Sequence, residues 1–370
     1  MHTLRWLWHA NRTRLPYHII VADGDVHPTI DRLLSNPAMF PNLSYEYHRY
    51  EDRTIRDYYF KRSDALRKVD TPYVMLSDND DFLLPFGINK ALGFLKKSPE
   101  YVCAGGGIPG FSIDVTSSEI PNVVGSVRSY SYRYISNDWY RCRDFDDASV
   151  SARVVNEIRN PLAVHYNIYR THTLQVIGGE VLELNPSLIL CEMYSAMRTM
   201  TLGKVKSDPS YFTYLRQQGS SQFLGYSKDL IDELLRSSLA EKFKLMASKV
   251  ASEAAYFDRR DPIEVEEQIY DAFADQLRLT LANTMMRYRF PRLFALKQRF
   301  WGTPNLRLMP NALRGSLDLA KIWKQLAVEA ATEDTISAHA AELNDVSSTL
   351  QGDSFIKFIF QNARDLQVTT

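Results

Sequence analysis

The chain has little of what would assign it to a class at a glance. It holds three cysteines in 370 residues, Cys103, Cys142 and Cys191. Odd in number and widely spaced, they make neither a disulfide framework nor a zinc site, and they suit a reducing compartment. Net charge is also absent. Forty-four Lys plus Arg balance 44 Asp plus Glu, so global charge gives no argument for a polyanionic partner. No window approaches the roughly 18 uncharged apolar residues that a membrane-spanning helix needs. The longest notable charge-free stretch, residues 101–113, is interrupted by Gly105, Gly106 and Gly107. Near the N-terminus Trp6 and Trp8 lie among Arg5, Arg12 and Arg14 without a continuous apolar run, which argues against a secretory signal. The expectation is a cytoplasmic protein. What the chain does have is 45% hydrophobic and 24% charged residues, the mix of a soluble protein with a sizeable core, over a length that suits two domains.

Residues 4–11 read as a helix. Residues 17–22 form a short apolar run stopped by Asp23-Gly24-Asp25, the pattern of a buried strand that delivers an acidic turn at its C-terminal end. A polar helix is predicted over 54–68. A second buried strand, 71–76, then ends in Ser77-Asp78-Asn79-Asp80-Asp81. A helix over 86–97 and a strand over 101–104 follow. This alternation predicts an α/β sheet, and ligands of open sheets bind beyond the strands' carboxyl ends, where both acidic turns sit. Residues 110–160, rich in Ser, Tyr and Arg, predict an irregular excursion with a short β-ribbon, closed by a helix near 147–158. Then come a sheet-like stretch over 163–169, a turn at Gly178-Gly179 and a helix over 190–202 closed by Gly203.

After Gly225 the pattern turns to long helices. Ile231, Leu235, Leu239, Phe243, Met246 and Val250 form one apolar stripe. Asp261, Pro262 and Glu264 mark a second start, and Val265, Ile269, Phe273, Leu277, Leu281 and Met285 continue at steps of four. A boundary is expected near 225, between an α/β half (1–225) and a helical half (226–370).

Three carboxylates within four residues, Asp78, Asp80 and Asp81, repel one another unless a cation sits among them. Hard oxygen ligands suit Mg²⁺ or Mn²⁺, and a diphosphate can complete the shell. The plainer reading is a solvated acidic turn or helix cap. Here residues 59–95 resemble the core of family 2-type glycosyltransferases with a GT-A fold, most nearly the bacterial subgroup acting on surface polysaccharides. The matched order is a polar helix, a strand, a DxD-like cluster, an apolar-Pro step and another helix. Ile20-Val21-Ala22-Asp23 resembles the family's nucleotide-contacting strand end, and the likeness extends over roughly residues 1–225.

The resemblance implies a Rossmann-like GT-A mixed sheet with helices on both faces, followed by an all-helical C-terminal domain. By it, Asp23 meets the base or ribose of a nucleotide-sugar, with UDP-sugar the leading donor. Asp78 and Asp80 are the DxD pair holding Mn²⁺ or Mg²⁺, and Asp81 is an alternative ligand. Lys61 approaches the phosphates or sugar, or else is an exposed helix lysine. Glu192, at the start of the helix beside the acceptor, takes the acceptor hydroxyl's proton, with Asp146 and Asp147 as lesser rivals. Arg216-Gln217-Gln218 matches a loop that closes on the diphosphate. His165 reads first as a core histidine, and Gly105 to Gly107 as backbone room near the sugar. The family's first strand, with its nucleotide-contacting turn, has no counterpart before residue 4, so the first strand of the sheet is expected to be missing.

Residues 285–324 carry nine basic residues against one acid, Asp318, with Phe290, Phe294, Phe300, Trp301 and Trp323 among them. Such a stretch favours an anionic membrane surface, and the alternative is an ordinary helix with a basic face. Nucleic acid is not expected. The reading is an inverting, metal-dependent glycosyltransferase acting on a bacterial surface glycan or lipid-linked acceptor, at the inner face of the plasma membrane. Its rivals are a nucleotidyltransferase and a non-catalytic assembly partner of the same fold.

Overall fold

The structure, a computed structural model, describes residues 2–24, 28–115, 127–134, 142–162, 164–184, 188–218, 239–293, 333–351 and 358. It opens with α1 (His2–Thr13), β1 (His18–Asp23), α2 (Pro28–Leu34) and β2 (Ser44–Arg49). β1 and β2 run parallel, in register from His18 with Ser44 to Asp23 with Arg49. Leu4, Leu7, Val21, Leu33, Leu34 and Phe40 close a small core between these elements.

Next come α3 (Ile55–Arg67), β3 (Tyr73–Met75), β4 (Phe82–Leu83), α4 (Pro85–Lys97) and β5 (Tyr101–Gly107). The start of α3 is a capping box: the Thr54 hydroxyl accepts from the Asp57 N–H, and the Asp57 carboxylate accepts from the Thr54 N–H. Pro85 opens α4, where its missing N–H costs nothing. The excursion is a ribbon of β6 (Pro109–Val115) and β7 (Val127–Tyr134), and α5 (Val150–Arg159) follows. β8 (Ile168–Arg170), α6 (Thr171–Glu183), α7 (Leu188–Leu202), β9 (Lys204–Phe212) and β10 (Tyr214–Gln218) complete the sheets.

One sheet has the order β3-β8-β5-β9, with β8 antiparallel to both neighbours and β9 parallel to β5. A second has the order β4-β10-β6-β7, and β1-β2 stands as a separate ladder. Side chains alternate across the first sheet as a pleat requires. Val74, Cys103 and Tyr169 face a core shared with α3 and α5–α7. Tyr73, Met75, Ala104 and Ile168 face a second core under α4. Helices therefore cover both faces of a mixed sheet, the α/β class expected from the sequence.

The later helices are α8 (Leu239–Asp258), α9 (Pro262–Arg289) and α10 (Glu333–Gln351). Leu239, Phe243, Met246 and Val250 of the expected stripe are buried, and so are Val265, Ile269 and Phe273. All seven belong to the core that contains Cys103 and Tyr169. Ile231 and Leu235 lie outside the described residues. Farther along α9 the stripe emerges, with Leu281 38% and Met285 67% exposed. α10 returns to the front of the molecule. His339, fully buried, accepts the Phe212 N–H on Nε2 at 2.9 Å. Its Nδ1 lies 2.9 Å from Glu342, whose other oxygen accepts the Phe86 N–H at 2.7 Å. The same helix meets α1 through His9–Thr349 and Arg12–Asp345 contacts.

Two glycine readings need correction. Gly178-Gly179 is no turn but lies within α6. A Cβ on Gly178 would stand 3.2 Å from Leu66 Cδ1, so the bare backbone lets α6 close on α3, and packing outweighs glycine's weak helix propensity. Gly105 to Gly107 lie within β5, and their missing side chains make room for the protein's own groups rather than for a sugar. Added Cβ atoms would meet Asn167 Oδ1 at 2.0 Å, the Tyr211 carbonyl at 2.4 Å and the Phe212 ring at 2.8 Å. The stretch 163–169 is likewise only partly strand: a 3-10 turn covers Val164–Tyr166 before β8 begins.

Candidate active site

β3 runs out into the acidic turn, and β4 brings the chain back by pairing with β10, Phe82 opposite Leu215. Ligand oxygens of Asp78, Asp80 and Asp81 lie within 4.8 Å of one another. Partners distant in sequence hold the turn. The Asp78 N–H donates to the Tyr214 hydroxyl at 2.8 Å, and the Tyr166 hydroxyl donates to Asp78 Oδ2 at 3.2 Å. The Gln217 N–H donates to Asp81 Oδ1 at 2.6 Å. Arg5 of α1 donates to the Asp80 carbonyl at 3.2 Å, and Asn79 donates to Thr3 at 2.9 Å.

The Asp81 carboxyl, 2% exposed, is pushed well above the usual carboxylate range, first by burial and then by Asp78 and Asp80. Asp78 is also raised, by burial and by Asp80, against the opposing pull of the Tyr166 hydroxyl, Arg216 and Arg62. A cation bound among these carboxylates would offset both the burial and the mutual repulsion that raise them. The donor set, three hard oxygens on one turn, fits Mg²⁺ or Mn²⁺.

Glu192 lies in the first part of α7. Burial raises its carboxyl to about 6, with Arg62 pulling down and Asp78 pushing up. Asp78 and Glu192 both keep solvent access, yet burial is the main cause of each shift. Solvent-open carboxyls crowded by protein atoms belong to the walls of a cleft. Arg62, half-buried on α3, lowers the carboxyls of Asp78 and Glu192 and the imidazole of His165 alike. His165 lies in the 3-10 turn with its ring centroid 4.0 Å from that of Tyr166. Burial and Arg62 lower its pKa to about 3, so it is neutral at ordinary pH. Arg216 sits 5.5 Å from the Tyr166 ring centroid and pulls the Asp78 carboxyl down.

Asp23 ends β1 at 9% exposure, with Oδ2 3.0 Å from the Tyr47 hydroxyl. That hydroxyl also lies 2.8 Å from Asp31 Oδ1, and its one proton serves one acid at a time. Lys61 pairs with Asp52 and lies 5.4 Å from the Tyr58 ring centroid. Asp52 packs against Gly24, where a Cβ would fall 2.3 Å from Asp52 Cβ, so Lys61 is tied to the end of β1. Asp147 stands before α5 with Oδ1 3.3 Å from the Ser149 N–H, and Asp146 beside it is exposed.

The sequence reading passed over Arg62, Tyr166, Tyr214 and Arg5. Arg62 had a signal, as the neighbour of the chosen Lys61. The tyrosines and Arg5 had none, since the contacts that give them a place span 75 to 136 residues.

No family model and no curated protein matches this chain. Solved structures do. Residues 1–349 of S. aureus TarS align at 12% identity and a TM-score of 0.43, over 95% of this chain and 86% of that one. The same part of TarS in complex with UDP-GlcNAc aligns at 11% identity and a TM-score of 0.44, over 95% and 88%. A longer S. aureus TarS structure gives 12% and 0.42, and this chain covers 52% of its length. Likeness at this level carries no functional inference for this chain.

Proposed function

We propose that the chain is a glycosyltransferase that moves a sugar from a nucleotide-sugar, UDP-sugar first, to a bacterial surface glycan or lipid-linked acceptor with inversion. The observation that carries this reading is the three-carboxylate turn, whose ligand oxygens lie within 4.8 Å of one another, together with Glu192, a carboxyl acted on by both Asp78 and Arg62. Residues 1–225 form the GT-A catalytic part and 226–370 the helical part. Asp23 receives the base or ribose at the end of β1, with Lys61 near it. Asp78 and Asp80, with Asp81, would hold Mn²⁺ or Mg²⁺. Such a cation, when bound, neutralises charge on a departing nucleoside diphosphate.

Glu192 removes the proton from the acceptor hydroxyl. The hydroxyl oxygen then forms its bond to the anomeric carbon. The bond from that carbon to the diphosphate oxygen breaks, and its electron pair leaves with the nucleoside diphosphate. Arg62 and Arg216 stabilise negative charge in the cleft. A neutral His165 adds no charge of its own. The protein works in the cytoplasm at the membrane's inner face through residues 285–324; 294–324 lie outside the described residues, and at the described end Phe290 and Leu293 are 54% and 57% exposed beside Arg289 and Arg292.

Calorimetric titration with UDP, GDP and CDP, with and without Mn²⁺, tests the reading on wild type and Asp80→Ala. Metal-dependent binding of UDP that the substitution abolishes is the expected result. A folded wild type that binds no nucleotide would overturn it and favour a non-catalytic partner.

A further inference from the structure

Arg5 is 3% exposed, deep behind the acidic turn. A buried guanidinium ordinarily takes a carboxylate in a two-pronged bond. Arg5 does not. One nitrogen, Nη2, donates to the Asp80 carbonyl at 3.2 Å and to Gln217 Oε1 at 2.8 Å. Nε is buried with no partner. The Gln217 N–H bonds Asp81 Oδ1 at 2.6 Å, so Arg5 supports the turn through Gln217 and a backbone carbonyl and leaves the ligand oxygens to other uses. Burial lowers its pKa to about 10, with Asp80 and then Asp81 opposing, so the charge persists at any ordinary pH.

We propose that Arg5 is the built-in counter-charge of the acidic site. It offsets one unit of negative charge without occupying a ligand oxygen. The protein alone therefore holds a divalent cation weakly, and holds it firmly only when an anionic diphosphate adds its own charge. Cation and nucleotide then bind as a pair. Arg5 is a positioning residue that acts through Asp80 and Asp81, and the inference rests on reading their turn as a cation site.

A merely structural staple between α1 and β10 makes the opposite prediction, because losing it would loosen the turn and weaken the cation. Free Mn²⁺ is measured by electron paramagnetic resonance against wild type, Arg5→Met and Arg5→Lys, with and without UDP, and folding is checked by circular dichroism. Arg5→Met should bind Mn²⁺ alone about tenfold more tightly than wild type, and UDP should add less to that affinity. Arg5→Lys, which keeps the charge, should match wild type. Should Arg5→Met not fold, Arg5→Gln, which keeps a donor for the Asp80 carbonyl, carries the same expectation. Unchanged or weaker Mn²⁺ binding in a folded, uncharged variant overturns the proposal. Absence of Mn²⁺ binding in every folded protein overturns it together with the cation reading. Mn²⁺ binding that responds to Arg5 but never to UDP overturns the pairing with a nucleotide and the proposed function, while leaving the counter-charge supported.

Discussion

Glu192 carries the sharpest consequence at the level of single residues. A base acts only when deprotonated, so a carboxyl at about 6 makes kcat/KM rise with pH through about 6 and then level off. Arg62 pulls that value down, so Arg62→Met should move the rising limb to higher pH. Glu192→Gln should lower kcat by about 10²-fold or more at every pH. Stability should move the other way. The native Glu192 holds its proton more tightly than the unfolded chain does. Its contribution is complete below the ordinary glutamate value and is lost as pH rises through about 6. At pH 7 Glu192→Gln should therefore melt above wild type. A flat rate profile between pH 5 and 7 would remove Glu192 from the role. The acidic triplet was readable at this scale because three carboxylates in four residues are a local fact. The action of Arg62 on Asp78 and Glu192 was not, since neighbours on a helix point about 100° apart and only packing decides which charges meet.

Among the elements, α4 offers a controlled comparison. Gly87 lies in its first turn against the end of β9, and a Cβ there would come 1.8 Å from the Phe212 carbonyl oxygen. Gly93, two turns on, has nothing within 4 Å. Gly93→Ala should raise stability by about 0.5–1 kcal/mol, the ordinary helix-propensity gain. Gly87→Ala should lower it by at least about 2 kcal/mol, because α4 must shift away from the strand. Urea melts of both read the difference, and equal effects would mean that α4 does not sit this close to β9. The starts of α3 and α4 were legible because capping and proline act within one turn. The glycine pair inside α6 was not, since what Gly178 accommodates is Leu66 of another helix.

For the molecule as a whole, the helical half is not set apart from the sheet. α8 and α9 share a core with the strands, and α10 supplies buried His339 to β9 and Glu342 to the start of α4. The outer end of α9 and the residues just beyond it do the reverse and leave Met285, Phe290 and Leu293 open beside Arg289 and Arg292. The protein should sediment with phosphatidylserine vesicles and stay in solution with neutral ones. Salt at about 0.5 M should release it, because screening shortens the reach of the arginines. Serines at the three apolar positions should abolish the association, and equal binding to neutral vesicles would sink the membrane reading. No helix among the described residues is long and apolar enough to cross a membrane.

By itself the sequence determined what acts over a few residues: the strands that end in acid, the capped helices, the apolar stripes and the crowding of three carboxylates. Period and spacing are enough for those. The tertiary structure alone decided which cation stands behind the acids, which tyrosines orient Asp78, that Asp78 acts on Glu192 and that α10 meets α1. Each of these joins residues far apart in the chain, and packing and burial, which give such contacts their energy, are written in no local pattern.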